Sequence, residues 1–351
     1  MTSQQTREES KPREETVYKY SKKGLDQLRE AAIVAGQPCF IKYHCDEEKN
    51  KHFVQWEPKI NGFTPTLRPP LREEYPYNPY EFTAVEEPQR YLYAAMKETP
   101  DTLLTKIKTQ VKLFNDISDK AATLLSANIF GSYFQDRFST VHYLFVVGAN
   151  GTGKSAFGET YECLGYRAVN VTNATESFWF RIFGTVEYGQ VTIIVEEFDR
   201  MEENSQIMAM LKVGYQPNAK VPRMNNDLTK MEFFYPYCFK IAISEKSPNE
   251  DKARGVLDRS FKNMSYKGSP KYSIKEIRNP QGNTERQKLF DDMDHLRKLL
   301  LAYRLLHIKD PYKEIDIGLD GRDEELCKPL LQLFYTLGAS EETQTDIEKK
   351  L

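Results

Sequence analysis

Apolar positions repeat at helical spacing through the first part of the chain and then change period. Leu103, Leu104, Ile107, Val111 and Phe114 share one helical face, as do Ala121, Leu124, Leu125, Asn128 and Ile129, so helices are predicted from about Pro88 to Gln135. From Tyr143 the apolar residues run unbroken instead, over 143–147, 168–171, 191–195 and 239–243, with helical stretches between. Short continuous apolar runs are what a strand covered on both faces requires, and their alternation with helices predicts an α/β layer structure with a parallel sheet. After Ile274 the helical period returns with Leu289, Met293, Leu296, Leu299, Leu300 and Leu305. Residues 341–351 read as a helical segment without a clear stop, and the chain is expected to be cut short of its natural end.

The N-terminal quarter reads differently. Residues 1–16 are predicted to be a disordered tail, and 17–62 a small α+β module. Its helix is expected over 23–36, with Leu25, Leu28, Ala31 and Ala32 on one face and Gly36 as the stop. Strands over 39–43 and 52–56 follow, around a polar turn at 46–51. Pro65, Pro69, Pro70, Pro76, Pro79 and Pro88, with tyrosines between them, then predict an extended linker or strap over 63–88. The rest divides into a helical region (89–140), a core (141–273) and a C-terminal helical region (274–351). No internal repeat is visible.

Composition narrows this picture without redirecting it. The 351 residues suffice for about two domains. With 40% hydrophobic and 28% charged residues the chain is neither collagen-like, nor a disulfide scaffold, nor wholly disordered. No apolar run approaches the roughly 20 residues of a membrane span, and the charged first residues hold no secretory signal. Five cysteines, none in a Cys-x-x-Cys pair, predict reduced thiols and an intracellular setting. Cys39, His44, Cys45 and His52 are all potential zinc ligands, but their spacing fits no usual finger, and a strand with a polar turn is the favoured reading. The 49 basic residues balance 51 acidic ones, so any case for nucleic acid must be local.

One segment carries specific chemistry. Gly148-Ala149-Asn150-Gly151-Thr152-Gly153-Lys154-Ser155 fits the phosphate-loop pattern G-x-x-x-x-G-K-[ST] without a gap, between an apolar run and a predicted helix that continues through Ala156. Its glycines let backbone N–H groups turn toward phosphates, Lys154 is placed for the β and γ phosphates of ATP, and the Ser155 hydroxyl for Mg²⁺. The run 191–195 ends in Glu196-Glu197-Phe198-Asp199. Two adjacent acids at a strand end can serve the metal shell and the attacking water, so Glu196 is assigned to the metal and Glu197 to the water, with Asp199 as the fallback metal-side carboxylate. Ser244 ends the 239–243 run, where a polar residue can sense the γ-phosphate; a turn serine is the equal alternative. Arg259, just ahead of a last predicted strand, is the candidate finger reaching a neighbouring subunit, with Arg254 nearby and an Arg259–Asp258 surface pair as the plain alternative.

The phosphate loop, the acidic strand end, the Ser244 strand and Leu257-Asp258-Arg259-Ser260-Phe261 together resemble the AAA+ class of P-loop ATPases. More narrowly they look like replicative helicase ATPases of plasmids, viruses and other mobile elements, often attached to primases. The likeness spans about residues 100–335 and includes the helical tail from Leu319-Asp320-Gly321-Arg322. It implies a five-stranded parallel sheet with helical regions beside it, a homo-oligomeric ring, ATP and Mg²⁺ as ligands, and a DNA helicase or replication ATPase. The alternative is an AAA+-like ATPase that remodels protein or nucleoprotein complexes without unwinding. The paired Glu196-Glu197 argues against a P-loop kinase, which activates a substrate hydroxyl and not water.

The local case for nucleic acid lies between the acidic strand and the Ser244 strand. Lys220 to Phe233 reads as a β-hairpin with an Asn225-Asn226-Asp227 turn, and similar ATPases place DNA-gripping hairpins in that interval. Lys212, Lys220, Arg223 and Lys230 are the candidate contacts to the phosphates of single-stranded DNA. Residues 252–278 add eight Lys or Arg against two acids.

Overall fold

In a computed structural model, the described residues are 30–34, 37–41, 53–57, 62–66, 80 and 87–351, the last stretch without 173, 186–188, 202–203, 225–228, 266, 309 and 350. The strands within 30–66 and the residues from Pro88 onward belong to two separate compact units.

The first unit contains β1 (Glu30–Val34), β2 (Gln37–Ile41), β3 (Phe53–Glu57) and β4 (Gly62–Thr66), an antiparallel sheet in chain order. The helix expected over 23–36 is thus corrected to a strand from Glu30, its earlier residues lying outside the described ones. Ala31 and Ala32 suit either state, but Ile33 and Val34 are apolar and β-branched, and the β1–β2 register pairs Val34 with Gln37. Only Ala35 and Gly36 remain between the strands, the spacing of a two-residue hairpin connection. β4 extends the module past residue 62, and Pro65 is tolerated there because β4 is the sheet's edge strand. The tail, the 46–51 turn and most of the Pro/Tyr-rich stretch lie outside the described residues. From that stretch Tyr80, part of the second unit, is fully buried with its ring 6.5 Å from Tyr166.

The second unit begins with α1 (Glu87–Ala95), α2 (Pro100–Phe114) and α3 (Asp119–Ser132). Thr99 and Thr102 form a reciprocal capping box at the start of α2, with Pro100 in the first turn where its missing N–H costs nothing. Ser118 caps α3. Leu103, Leu104, Ile107, Val111 and Phe114, the predicted face, are buried.

Next come β5 (Tyr143–Val147), α4 (Lys154–Leu164), β6 (Ala168–Thr172), α5 (Glu176–Thr185), β7 (Thr192–Glu196) and α6 (Ser205–Val213). A two-stranded antiparallel ribbon, β8 (Val221–Met224) and β9 (Met231–Phe234), precedes β10 (Lys240–Ser244), α7 (Glu250–Leu257) and β11 (Ser260–Met264). Five of these strands form a sheet in the order β11-β5-β10-β7-β6, every neighbouring pair parallel. β5 and β10 are buried at every position, as their unbroken apolar runs predict. Observed strand limits differ from the expected ones by a residue at most in this sheet. The chain ends with α8 (Ile274–Arg278), α9 (Thr284–His307), α10 (Gly321–Thr336) and α11 (Glu341–Glu348).

Two buried polar groups fix this unit. Arg304 of α9 is 1% exposed and pairs with Asp136 at 2.6 Å, joining the C-terminal helices to the turn after α3. Lys240, inside β10, donates its Nζ to the carbonyls of Gly214, Pro236 and Cys238 at 3.1, 2.6 and 3.0 Å. It therefore ties the end of α6 and the exit of the β8–β9 ribbon to the central sheet.

His142, just before β5, is buried against Phe239 and Phe261 and lies 2.7 Å from the Asn128 amide. Burial lowers its pKa to about 3, so the fold holds it neutral. The unfolded chain takes up this proton near the ordinary value of about 6.5, so His142's contribution is intact above that pH and declines on acidification, by up to about 1.4 kcal/mol per pH unit. Urea melts at several values between about pH 6.5 and pH 5 should show a shallower acid-side slope for His142→Phe than for the parent. An identical slope would mean that His142 does not carry this linkage.

Candidate functional site

The carboxyl ends of the central parallel strands open onto a cleft, as expected where an open sheet reverses its strand order. It has a volume of about 460 Å³ and is lined by Asn150, Gly151, Thr152, Gly153, Lys154, Ser155 and Ala156 on one side. Glu196, Glu197, Asp199, Arg200, Ile243, Ser244, Glu245 and Lys275 line the remainder.

The loop between β5 and α4 needs its glycines for two different reasons. Gly151 and Gly153 have φ of +77° and +87°, with open space where a Cβ would stand, so backbone conformation sets the requirement. At Gly148 space sets it: a Cβ would lie 2.5 Å from the Ser265 carbonyl oxygen. Gly148 is not among the residues lining the cleft, and its N–H donates to the Ser244 carbonyl at 3.2 Å. Ser265, directly after β11, braces the loop. Its N–H donates to Val147 O at 2.7 Å and its hydroxyl to Thr152 O at 2.8 Å. Gly153 caps α4 without a side chain, which leaves the first N–H groups of that helix to the loop. Lys154 Nζ donates to Ala149 O at 2.7 Å, so the one cation inside the loop rests on a carbonyl of the same loop.

β7 delivers the acids. Ser155 Oγ lies 3.5 Å from Glu196 Oε2, while Asn170 of β6 donates to Glu196 Oε1 at 3.0 Å. The parallel β6–β7 register, which pairs Thr172 with Glu196, brings Asn170 there. Glu197 stands in the left-handed region at φ 58° and ψ 45°. For a residue with a side chain this costs on the order of 1 kcal/mol and turns it out of the strand's alternation. The following 3₁₀ turn is pinned by Phe198, buried edge-on against Phe145 with ring centres 4.9 Å apart. Arg200, on the same turn, meets Glu197 Oε2 at 2.7 Å. Ser244 donates its hydroxyl to Lys246 O at 2.6 Å and lies 3.4 Å from Asp199 Oδ1.

The structure therefore brings Asn150 to Ala156, Glu196, Glu197, Asp199 and Ser244 into one cleft. Arg259 is not among the residues lining it. Its guanidinium sits 4.4 Å from the Tyr215 ring centre and donates to Gly255 O. Lys275, Arg200, Asn170 and Ser265 were not singled out by sequence. Lys275 reaches the cleft from α8, 4.0 Å from Glu159, whose carboxyl burial pushes above its usual range against the pull of Lys275 and Arg278. Among the described residues no group of three or more His, Cys, Asp or Glu is arranged to hold a metal. Of the Cys39 cluster, His44, Cys45 and His52 lie outside those residues.

The hairpin expected over 220–233 forms as β8–β9, with its turn outside the described residues. Arg223 lies with its guanidinium 4.1 Å from the Phe180 ring centre and 3.6 Å from Glu176, because the period-two alternation puts Val221, Arg223 and Phe234 on the side packed against α5, and its side chain stays 40% exposed.

No helix among the described residues is long and apolar enough to cross a membrane. No family model and no curated protein matches the sequence. Among solved structures the chain is similar to the A-form apo structure of the NrS-1 C-terminal region, at 15% identity and a TM-score of 0.36, over 73% of this chain and 52% of that one. The chain thus spans about half the length of that structure.

Proposed function

We propose that the chain is an ATP-hydrolysing motor of the AAA+ type, working as a DNA helicase or replication ATPase in a ring of identical subunits. The observation that carries this reading is the phosphate-loop sequence between β5 and α4 facing two consecutive glutamates across one cleft.

In this reading the backbone N–H groups of the loop and of the first turn of α4 bind the phosphates, and Lys154 exchanges Ala149 O for phosphate oxygens. Ser155 and Glu196 would hold Mg²⁺, which supplies charge neutralisation on the terminal phosphates when bound. The donor set fits that ion: both groups are oxygen ligands, they already face each other, and a small hard cation takes few protein ligands and keeps several waters. Asn170 fixes the Glu196 carboxylate. Glu197 accepts a proton from the attacking water, and Ser244, which lines the same cleft, would contact the terminal phosphate or that water.

Phosphate release from ATP, measured with and without single-stranded DNA, tests the proposal. Release of inorganic phosphate that rises with added strand is expected. Transfer to an acceptor other than water, or no release under either condition, would overturn it.

A further inference from the structure

Where α4 crosses the sheet, two strands meet it with isoleucine and a third with asparagine. A Cβ added at Gly158, midway along α4, would lie 2.8 Å from Ile243 Cδ1, 3.3 Å from Ile194 Cγ2 and 3.5 Å from Asn170 Nδ2. Glycine at 158 therefore lets the helix approach β10, β7 and β6 closely. Packing at that distance asks for no amide. Asn170 is half-buried, and its Nδ2 donates to Glu196 Oε1 at 3.0 Å. An ionised carboxylate only accepts, so the N–H₂ side of the amide faces Glu196 and its carbonyl turns elsewhere. That carbonyl oxygen is buried and has no hydrogen-bond partner among the described residues. Glu159 Oε2, one turn along α4 from Ser155, shares that condition. Burial, with the charge of Glu196 adding to it, pushes the Glu159 carboxyl above its usual range. Two buried acceptors beside Glu196 thus call for donors that the surrounding side chains do not supply, and a buried acceptor is costly until a donor reaches it.

We infer that Asn170 is a positioning residue for the divalent cation: its N–H₂ holds Glu196 so that the other carboxylate oxygen faces Ser155, and its carbonyl accepts a hydrogen bond from the cation's hydration shell. A small hard cation keeps several of its waters, and those waters are donors. Groups one step beyond the direct ligands commonly set metal affinity in this way. The length of glutamate suits the arrangement. Oε1 reaches Asn170 on β6 while Oε2 lies 3.5 Å from Ser155 Oγ on α4, so one carboxylate spans the two elements. The β6–β7 register carries Asn170 there from 26 residues away along the chain. The inference rests on the reading above in taking Mg²⁺ as the ion.

Binding of a fluorescent, non-hydrolysable ATP analogue to the full chain, in Mg²⁺ and again in EDTA, tests it without turnover. The parent should bind more tightly in Mg²⁺, and the ratio of the two affinities measures what the cation contributes. Asn170→Ala should cut that ratio about tenfold to a hundredfold, the usual effect of losing a partner that orients a metal ligand, and leave the affinity in EDTA as it was. Asn170→Leu keeps the volume without the amide and should behave alike, which separates the lost hydrogen bonds from a cavity. Melting curves matching the parent's would show that both variants fold. An unchanged ratio in either folded variant would overturn the inference. So would an equal loss of affinity in Mg²⁺ and in EDTA, or the failure of both variants to fold, since either marks the amide as packing for the loop and helix. A parent ratio of one would defeat the inference together with the Mg²⁺ assignment. If Glu196→Gln cuts the ratio and Asn170→Ala does not, the cation site stands and the inference falls. If Asn170→Ala cuts the ratio while the parent releases no phosphate from ATP, the inference stands and the motor falls.

Discussion

Glu197→Gln should bind ATP as tightly as the parent and hydrolyse it about 10²- to 10⁴-fold more slowly, the usual effect of losing a positioned general base. The amide matches the carboxylate in size but cannot take the proton from water. The change also removes the ion pair between Glu197 and Arg200. That pair is exposed, its side chains 63% and 40% accessible, so its loss should cost no more than about 1 kcal/mol of stability. ATP retained on the isolated protein, with single-turnover phosphate release as the rate, separates binding from chemistry. Glu196→Gln is the contrast: on the proposed assignment it weakens the carboxylate that is held by Asn170 and faces Ser155 for Mg²⁺, so ATP affinity should fall in a Mg²⁺-dependent way. If instead Glu197→Gln loses affinity and the bound nucleotide turns over normally, the two roles are reversed. If neither change affects turnover, Asp199 becomes the acid to test.

The parts of this site that could be read from sequence are those that lie consecutively along the chain. The loop from Gly148 to Ser155 is recognisable as a pattern because a loop with glycine at fixed offsets, here Gly151 and Gly153 at positive φ, keeps those offsets in one dimension. The central strands were legible because burial on both faces leaves no polar alternation. What escaped depends on register. Asn170 reaches Glu196 only through the β6–β7 pairing, and Ser265 reaches Thr152 only because β11 lies beside β5. The N-terminal helix expectation failed for a related reason. Two alanines are compatible with either period, and a cross-strand partner decided between them. Arg223 shows the same limit at smaller scale: the alternation of the ribbon is visible in sequence, but Phe180 and Glu176 determine which face is inward.

Arg259→Ala should lower turnover by on the order of 10³-fold with ATP affinity nearly intact, the effect of removing an arginine finger. The geometry makes Arg259 a poor candidate for any role in its own cleft. It is absent from the lining residues, its guanidinium lies on Tyr215, and its Nε is buried without a hydrogen-bond partner among the described residues. To act on a second molecule the guanidinium would have to leave Tyr215 and Gly255 O, and there it would stabilise charge developing on the terminal phosphate of that neighbour. Complementation follows from this. Arg259→Ala mixed with Lys154→Ala should recover part of the lost activity, because one kind of interface then joins an intact Lys154 to an intact Arg259. Neither variant alone can form that interface. Turnover per subunit should also fall on dilution of the parent as subunits separate. A diluted monomer hydrolysing at full rate would refute the shared site, and so would full activity in Arg259→Ala combined with Arg254→Ala. Arg254 belongs in that double change because it is exposed in the last turn of α7, one turn ahead of Arg259, and is the nearest cation able to substitute for it.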